Sequence, residues 1–225
     1  MLEKIGDNIW SHNMRVRFGG IPLWHRMTAI RLDDGSVVLH SPAKLSPELR
    51  DGINQLGPVS SIVAPSWWHD MHLQGYFATW PEAEFYAAPA LIKWHRQWPS
   101  ARPLGVDRVQ RWDGQIDQAP IKGIGLFLDE VALFHRASRS LIVADMLFNV
   151  SHEDARITQV LAPIVIGRGC CFARMYRPFV FDKKLFRASI QAILDWDFDQ
   201  IVVGHGEIVR SAGKAAFRRA FAWIL

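Results

Sequence analysis

The strongest indication of the fold is the stretch Ser66-Trp67-Trp68-His69-Asp70-Met71-His72-Leu73-Gln74-Gly75. It follows the apolar run 61–64, whose composition is typical of a buried β-strand. Two histidines at the end of one strand can direct their ring nitrogens into a single small volume. His69 and His72 are therefore candidate metal ligands, because imidazole is an ordinary ligand for zinc and similar ions.

Two further predicted strands also end in side chains that can bind a metal. Asp145 follows the apolar run Leu-Ile-Val-Ala, and His205 follows Ile-Val-Val-Gly. We expect folding to bring His69, His72, Asp145 and His205 to one common edge. Four such side chains are enough for one four-coordinate ion.

The order of these residues resembles that of the metallo-β-lactamase superfamily, whose first motif is H-x-H-x-D-H followed shortly by glycine. When Gly75 is matched to that glycine, His69 and His72 keep the second and third histidine positions. Trp67 stands where the first histidine would be, and Met71 stands where the aspartate would be. The resemblance is therefore to a divergent branch in which the first motif is incomplete.

The later motifs of the superfamily have matches as well. Asp145 corresponds to its later aspartate, and His205 corresponds to its terminal histidine. The separate histidine expected between them has no counterpart, and segment 125–130 occupies roughly that place. The resemblance implies an α/β (α+β) fold, a four-layer αββα sandwich, formed by residues 1–225 as a single domain.

The missing motif residues limit the chemistry that the resemblance implies. Tryptophan does not coordinate metals, and methionine sulfur suits soft ions better than borderline ones. One zinc-like divalent ion, held by His69, His72, Asp145 and His205, remains compatible with the sequence. Asp145 and Asp70 are the candidate catalytic carboxylates, although Asp70 alternates with His69 along the chain and would point away if the loop is extended.

Two hypotheses of function follow. In the first, the protein is a hydrolase in which one zinc-like ion activates water against a small ester, amide, thioester or phosphoester. In the second, the protein is a catalytically inactive, metal-free binding protein on the same fold, because Trp67 and Met71 have replaced two ligands. Under either hypothesis, Trp67 and Trp68 could fill the space of the lost ligand or line a substrate pocket.

A series of basic residues between the two later motifs offers an anion-binding alternative. Arg168, Arg174 and Arg177 could bind a carboxylate or phosphate through paired hydrogen bonds. The competing interpretation is a solvated surface whose alkyl stems cover the core. We also expect His12, His25, His40, His95, His135 and His152 to be ordinary surface or core histidines.

Composition narrows the classes of partner and compartment. The chain has 225 residues, a net charge of +4 and adjacent cysteines at 170 and 171, which do not favour a disulfide. We therefore expect a reduced, cytoplasmic setting, a small-molecule ligand, no nucleic acid and no membrane association. If some of the ten tryptophans are exposed, they would support a homodimer.

Periodicity and turn residues place the regular elements. A hairpin is predicted over 28–32 and 37–40, and a helix over 46–56 with Ser46 as its cap. Segment 101–120 is predicted to be rich in loops. The remaining predicted strands are 61–64, 84–88, 130–134, 140–144 and 200–203, and the remaining predicted helices are 89–97, 183–194 and 212–225.

Overall fold

The computed structural model describes residues 1–18, 21–94, 98, 100–150 and 154–225. Its larger sheet contains seven strands in sequential order. The first four are antiparallel neighbours and the last four pair in parallel. They are β1 (Glu3–Gly6), β2 (Ile9–Phe18), β3 (Ile21–Arg31), β4 (Val37–His40), β5 (Val59–Ala64), β6 (Glu84–Ala87) and β7 (Arg102–Pro103).

The smaller sheet has four strands in the order β11-β10-β9-β8. They are β8 (Ile116–Pro120), β9 (Val131–His135), β10 (Ser140–Asn149) and β11 (Gln200–Gly206). The helices of the described chain are α1 (Pro47–Leu56), α2 (Leu73–Thr79), α3 (Pro89–Trp94), α4 (Arg156–Val165), α5 (Lys183–Leu194) and α6 (Gly213–Phe221).

Three apolar cores show how these elements are layered. One core joins the two sheets face to face and includes Val38 from β4 and Val202 from β11. A second lies between the larger sheet and α1, which contributes Ile53. The third lies between the smaller sheet and the helices α5 and α6, which contribute Phe186 and Phe217. The result is the predicted four-layer αββα sandwich.

Local sequence features explain why the predicted elements form where they do. The Ser46 hydroxyl accepts a hydrogen bond from the Leu49 amide at 3.2 Å, and Pro47 occupies the first turn of α1. The Asp182 carboxylate caps α5 in the same way. Gly35, with a φ of +83°, closes the hairpin between β3 and β4. These elements were predicted from sequence, and the structure confirms them.

The structure corrects the prediction for segment 101–120. Part of it forms β7 and β8 instead of loop. β8 pairs only with β9 and lies at the edge of its sheet, where polar residues and Pro120 are tolerated. Its alternation of apolar residues is therefore too weak to be recognised from sequence.

The sequence also gave no assignment to β1, β2, α2 or α4. In β2 polar residues stand at inward as well as outward positions: Ser11 is buried, whereas Asn13, Arg15 and Arg17 are exposed. The predicted helix over 89–97 is observed as Pro89–Trp94, and its last three residues lie outside the described residues, as do His95 and His152.

Within the described chain, no helix combines the length and apolar character needed to cross a bilayer.

Candidate metal centre

Three of the four predicted ligands lie together where the two sheets meet. One ligand atom from each of His69, Asp145 and His205 lies within 4.8 Å of the other two. The Asp145 Oδ1 atom is 3.5 Å from His69 Nε2 and 3.1 Å from His205 Nε2. All three side chains are buried. We call these three residues the triad.

A β-bulge in β10 directs Asp145 towards the triad. Val143 is opposite Val203, but the next paired residue of β10, Phe148, is opposite His205. The chain therefore advances five residues in β10 (143 to 148) for two in β11 (203 to 205). Such bulges re-aim side chains beside functional sites. Asp145 lies within this bulge.

Glu130 takes up the backbone donors that the bulge leaves unpaired. Its carboxylate accepts hydrogen bonds from the amides of Ala144, Asp145 and Met146, each at 2.7 Å. Burial, together with the charge of Asp145, raises the pKa of Glu130 to about 8 despite these three donors. Glu130 therefore holds the backbone that presents Asp145, a role that the sequence did not reveal.

A glycine allows β11 to pass close to the bulge. A Cβ atom at Gly204 would lie 2.7 Å from the carbonyl oxygen of Ala144. Real side chains do not tolerate that distance, so residue 204 must be glycine for His205 to reach its position beside Asp145.

The surroundings of His205 define which of its ring nitrogens can bind a metal. Its Nδ1 lies 2.6 Å from the carbonyl oxygen of Trp24, which can only accept a hydrogen bond. Nδ1 therefore carries a hydrogen atom and donates a hydrogen bond to that oxygen. In the neutral ring, Nε2 then presents a lone pair towards Asp145, which is the arrangement typical of a histidine that ligates metal.

His69 and Asp145 are each held by a serine. The Ser41 hydroxyl forms a short hydrogen bond with His69 Nδ1, which directs Nε2 towards Asp145. The Ser66 hydroxyl donates to Asp145 Oδ2 at 2.5 Å. Among the described residues, the buried Nε2 atom of His69 has no hydrogen-bond partner. A buried nitrogen without a partner is costly unless another group satisfies it.

The triad fits a zinc-like ion. With metal–ligand distances of about 2.1 Å, two ligands of a tetrahedral ion are about 3.4 Å apart. The separations of Asp145 Oδ1 from His205 and His69, 3.1 and 3.5 Å, agree with that value, and the ligand nitrogens of the two histidines lie within 4.8 Å of each other. Burial alone would raise the pKa of Asp145, but the interactions with His69 and then His205 bring it well below its usual value. The carboxylate is therefore ionised and available as a ligand.

The structure places His72 and Asp70 outside the triad. His72 is the N-cap residue of α2, is half-buried, and has its ring centroid 6.5 Å from that of His25. Asp70 is also half-buried. His72 as a fourth ligand and Asp70 as a catalytic carboxylate remain predictions.

His25 is a member of this site that the sequence analysis assigned to ordinary packing. Its ring centroid lies 4.8 Å from that of His69 and 6.4 Å from that of His205. Burial, followed by electrostatic interaction with His69 and His205, holds the pKa of His25 well below its usual value, so the ring is neutral. The available indication was the position of this histidine between Leu23 and Met27, which share the buried face of β3 with it.

The two tryptophans of the first motif occupy different surroundings. The ring centroid of Trp67 lies 5.7 Å from that of Trp94, in an edge-to-face contact. Trp68 is partly exposed and lines a cavity beside the triad, together with Met71. This cavity has a volume of about 280 Å³, and all three triad residues also line it. We call it the triad cavity.

The predicted anion-binding arginines lie at the surface, outside the triad cavity. Arg174 donates to the carbonyl oxygen of Pro163 at 3.2 Å. Arg177 lies 4.9 Å from the ring centroid of Trp223. Arg168 is exposed. An anion site formed by these arginines remains a prediction.

Solved structures with the same arrangement of layers show which fold this protein has. A metallo-β-lactamase from Erythrobacter litoralis superposes with a TM-score of 0.67 and 11% identity, covering 98% of this chain and 94% of that one. A metallo-β-lactamase from Pontibacter korlensis gives 0.61 and 16%, covering 97% and 98%. The metal-soaked Flv1 flavodiiron core from Synechocystis sp. PCC6803 gives 0.66 and 12%, covering all of this chain and 60% of that one. This protein has the metallo-β-lactamase fold.

The family follows from sequence. The model of a domain of unknown function, DUF4336, matches residues 6–169, and the chain belongs to that family. No curated protein matches the chain in sequence.

Proposed function

We propose that this protein is a metal-dependent hydrolase that holds one zinc-like ion at His69, Asp145 and His205. The observation that carries the proposal is the geometry of the triad. Two nitrogens and one carboxylate oxygen converge in a buried place, at separations of 3.1 and 3.5 Å that suit the ligands of one ion.

Three protein ligands are the pattern of catalytic rather than closed structural sites. When bound, such an ion supplies a water molecule whose pKa is lowered to about 7. The residues of this chain would hold and orient the site. The Trp24 carbonyl and the Ser41 hydroxyl set the ring positions of His205 and His69, and Ser66 orients the carboxylate of Asp145.

The triad cavity gives this chemistry a place for a substrate. It adjoins the triad, and its volume of about 280 Å³ would admit a small molecule against largely apolar walls. The proposed substrate is a small ester, amide, thioester or phosphoester.

Metal analysis of the purified protein tests the proposal. After supply of zinc and removal of unbound metal, we expect about one ion per chain in the natural protein. His205→Ala should lose the ion, whereas His12→Ala, which removes a histidine near the N-terminus from outside the site, should keep it. Turnover of a panel of small esters should disappear on chelation and return with zinc. Protein that carries far less than one ion per chain contradicts the proposal.

A metal-free binding protein is the second candidate. It is favoured by the residues at two motif positions, since Trp67 packs against Trp94 and Met71 is 58% exposed. The same metal analysis separates the two candidates, because the second predicts no stoichiometric metal and no metal-dependent turnover.

A further inference from the structure

The walls of the triad cavity are almost entirely apolar. Aliphatic and aromatic side chains from several segments of the fold face it, among them Leu23, Phe148, Leu161, Ile166 and Tyr176. The triad forms one part of the same lining. A molecule in the cavity would therefore have its reacting group beside the triad and the rest of its surface against hydrocarbon.

The polar groups of the lining are few. Apart from the triad and His25, two ionisable side chains are among the described lining residues: Arg17, which is exposed on β2, and Tyr176, whose phenol has its pKa raised by burial. The hydroxyl of Thr158 already donates to the carbonyl oxygen of Pro22 at 2.6 Å. Along the walls away from the exposed Arg17, a charged substrate tail would lose its water without gaining an ionic partner, whereas an apolar tail would gain from burial.

We propose that the triad cavity binds the apolar acyl chain of a carboxylic ester or thioester, with the acyl carbonyl beside His69, Asp145 and His205. This inference rests on the proposed function and narrows it, because a phosphoester or a charged acyl group does not suit these walls. An apolar cavity of about 150 Å³ accommodates benzene. The triad cavity, with a volume of about 280 Å³, has room for a larger apolar group.

The reaction in this assignment is hydrolysis. The oxygen of water forms a bond to the acyl carbon, and the bond from that carbon to the ester oxygen or thioester sulfur breaks. One proton of the water passes to the leaving alcohol or thiol, and the acyl product leaves as a carboxylate after releasing the other. No oxidant or further reactant is needed.

Binding of 1-alkanols to the chelator-treated protein tests the assignment independently of metal and turnover. From 1-butanol to 1-octanol, titration calorimetry should show affinity rising about fourfold for each added methylene group that is buried. The key variant is Val165→Trp, which places a large ring at a residue that lines the cavity. This substitution should remove most of the increase in affinity from 1-butanol to 1-octanol.

Val160→Trp is the matched control. Val160 lies on the same helix, is 69% exposed, and does not line the triad cavity. It should bind the alkanols as the natural protein does. If Val165→Trp does not fold, as judged by circular dichroism, Met175→Trp fills the cavity from a different segment. Affinity that is independent of chain length, or equal effects of the cavity-lining and control variants, would overturn the assignment.

Ester turnover separates this inference from the proposed function. With zinc-supplied protein, kcat/KM for p-nitrophenyl esters should rise from acetate to octanoate, and Val165→Trp should lower it for octanoate but not for acetate. Turnover without dependence on chain length keeps the hydrolase and overturns the acyl-chain assignment. Alkanol binding without turnover of any ester overturns both the hydrolase and the ester assignment.

Discussion

The loop after β5 and the edge formed by β10 and β11 contribute to one site in different ways. At the β10–β11 edge, Asp145 and His205 are fixed by a bulge, by Glu130 and by the Trp24 carbonyl. In the loop, His69 is held by Ser41, but His72 begins a helix and lies apart from the triad. The ligands that converge are those whose orientation the surrounding structure determines.

The largest expected effect contrasts the two histidines of the loop. His69→Ala should abolish stoichiometric zinc binding, because it removes one of three converging ligands. His72→Ala should leave zinc binding close to that of the natural protein. Metal content after gel filtration measures both. Equal losses of zinc in the two variants would mean that His72 is also a ligand, and that the loop supplies as many ligands as β10 and β11.

The two candidate catalytic carboxylates should differ almost as strongly. Asp145→Asn removes the charge that faces both histidines, so we expect zinc-dependent ester turnover to fall by more than about 100-fold. Asp70→Asn should change turnover by less than about threefold, since Asp70 lies outside the triad. Steady-state kinetics at saturating zinc distinguish them. A larger loss of turnover in Asp70→Asn than in Asp145→Asn would show that the catalytic carboxylate is Asp70, in the loop.

A smaller effect should follow from the loss of one orienting hydroxyl. Ser66→Ala removes the donor to Asp145 Oδ2, and such changes typically cost 10- to 100-fold in metal affinity. Ser61→Ala is the matched control, because the buried Ser61 hydroxyl has no hydrogen-bond partner among the described residues. Competition with a chromogenic chelator measures both affinities. Equal affinities would show that the sheet alone positions Asp145.

The smallest effect is on the free energy of unfolding and concerns His40, a buried histidine outside the triad. Burial lowers the pKa of His40 from 6.5 to about 3, and among the described residues neither of its ring nitrogens has a hydrogen-bond partner. The unfolded chain therefore binds more protons below pH 6.5, and the free energy of unfolding falls as the pH decreases through this range.

Between pH 7 and pH 5 this single group should account for about 2 kcal/mol. His40→Leu should reduce the pH dependence by that amount in urea unfolding of the chelator-treated protein. An unchanged pH dependence would show that His40 is protonated in the folded protein or is not the group responsible.

Much of the fold could be predicted because its local features agree with its packing. The turn at Gly35, the cap at Ser46 and the apolar spacing of α5 each indicate the observed element. The edge strand β8 and the strand β2 were missed, because in both of them polar residues interrupt the apolar ones and leave no clear apolar period.

The site was predicted in part for a related reason. His69, Asp145 and His205 were recognised from their places after apolar runs and from a resemblance in residue order. His25 was missed because an inward histidine in a strand is usually a core residue. Glu130 was missed because its role depends on a bulge in another strand.

The amino-acid sequence alone was enough to predict most of the central strands, several helices and the order of the motif residues, because these depend on local propensity and on the period of apolar residues. The direction of Asp145 towards both histidines and the position of His72 outside the triad follow from the three-dimensional packing. Side-chain direction at these positions depends on a shift in strand register and on hydrogen bonds between distant segments. No local pattern in the chain encodes either of them.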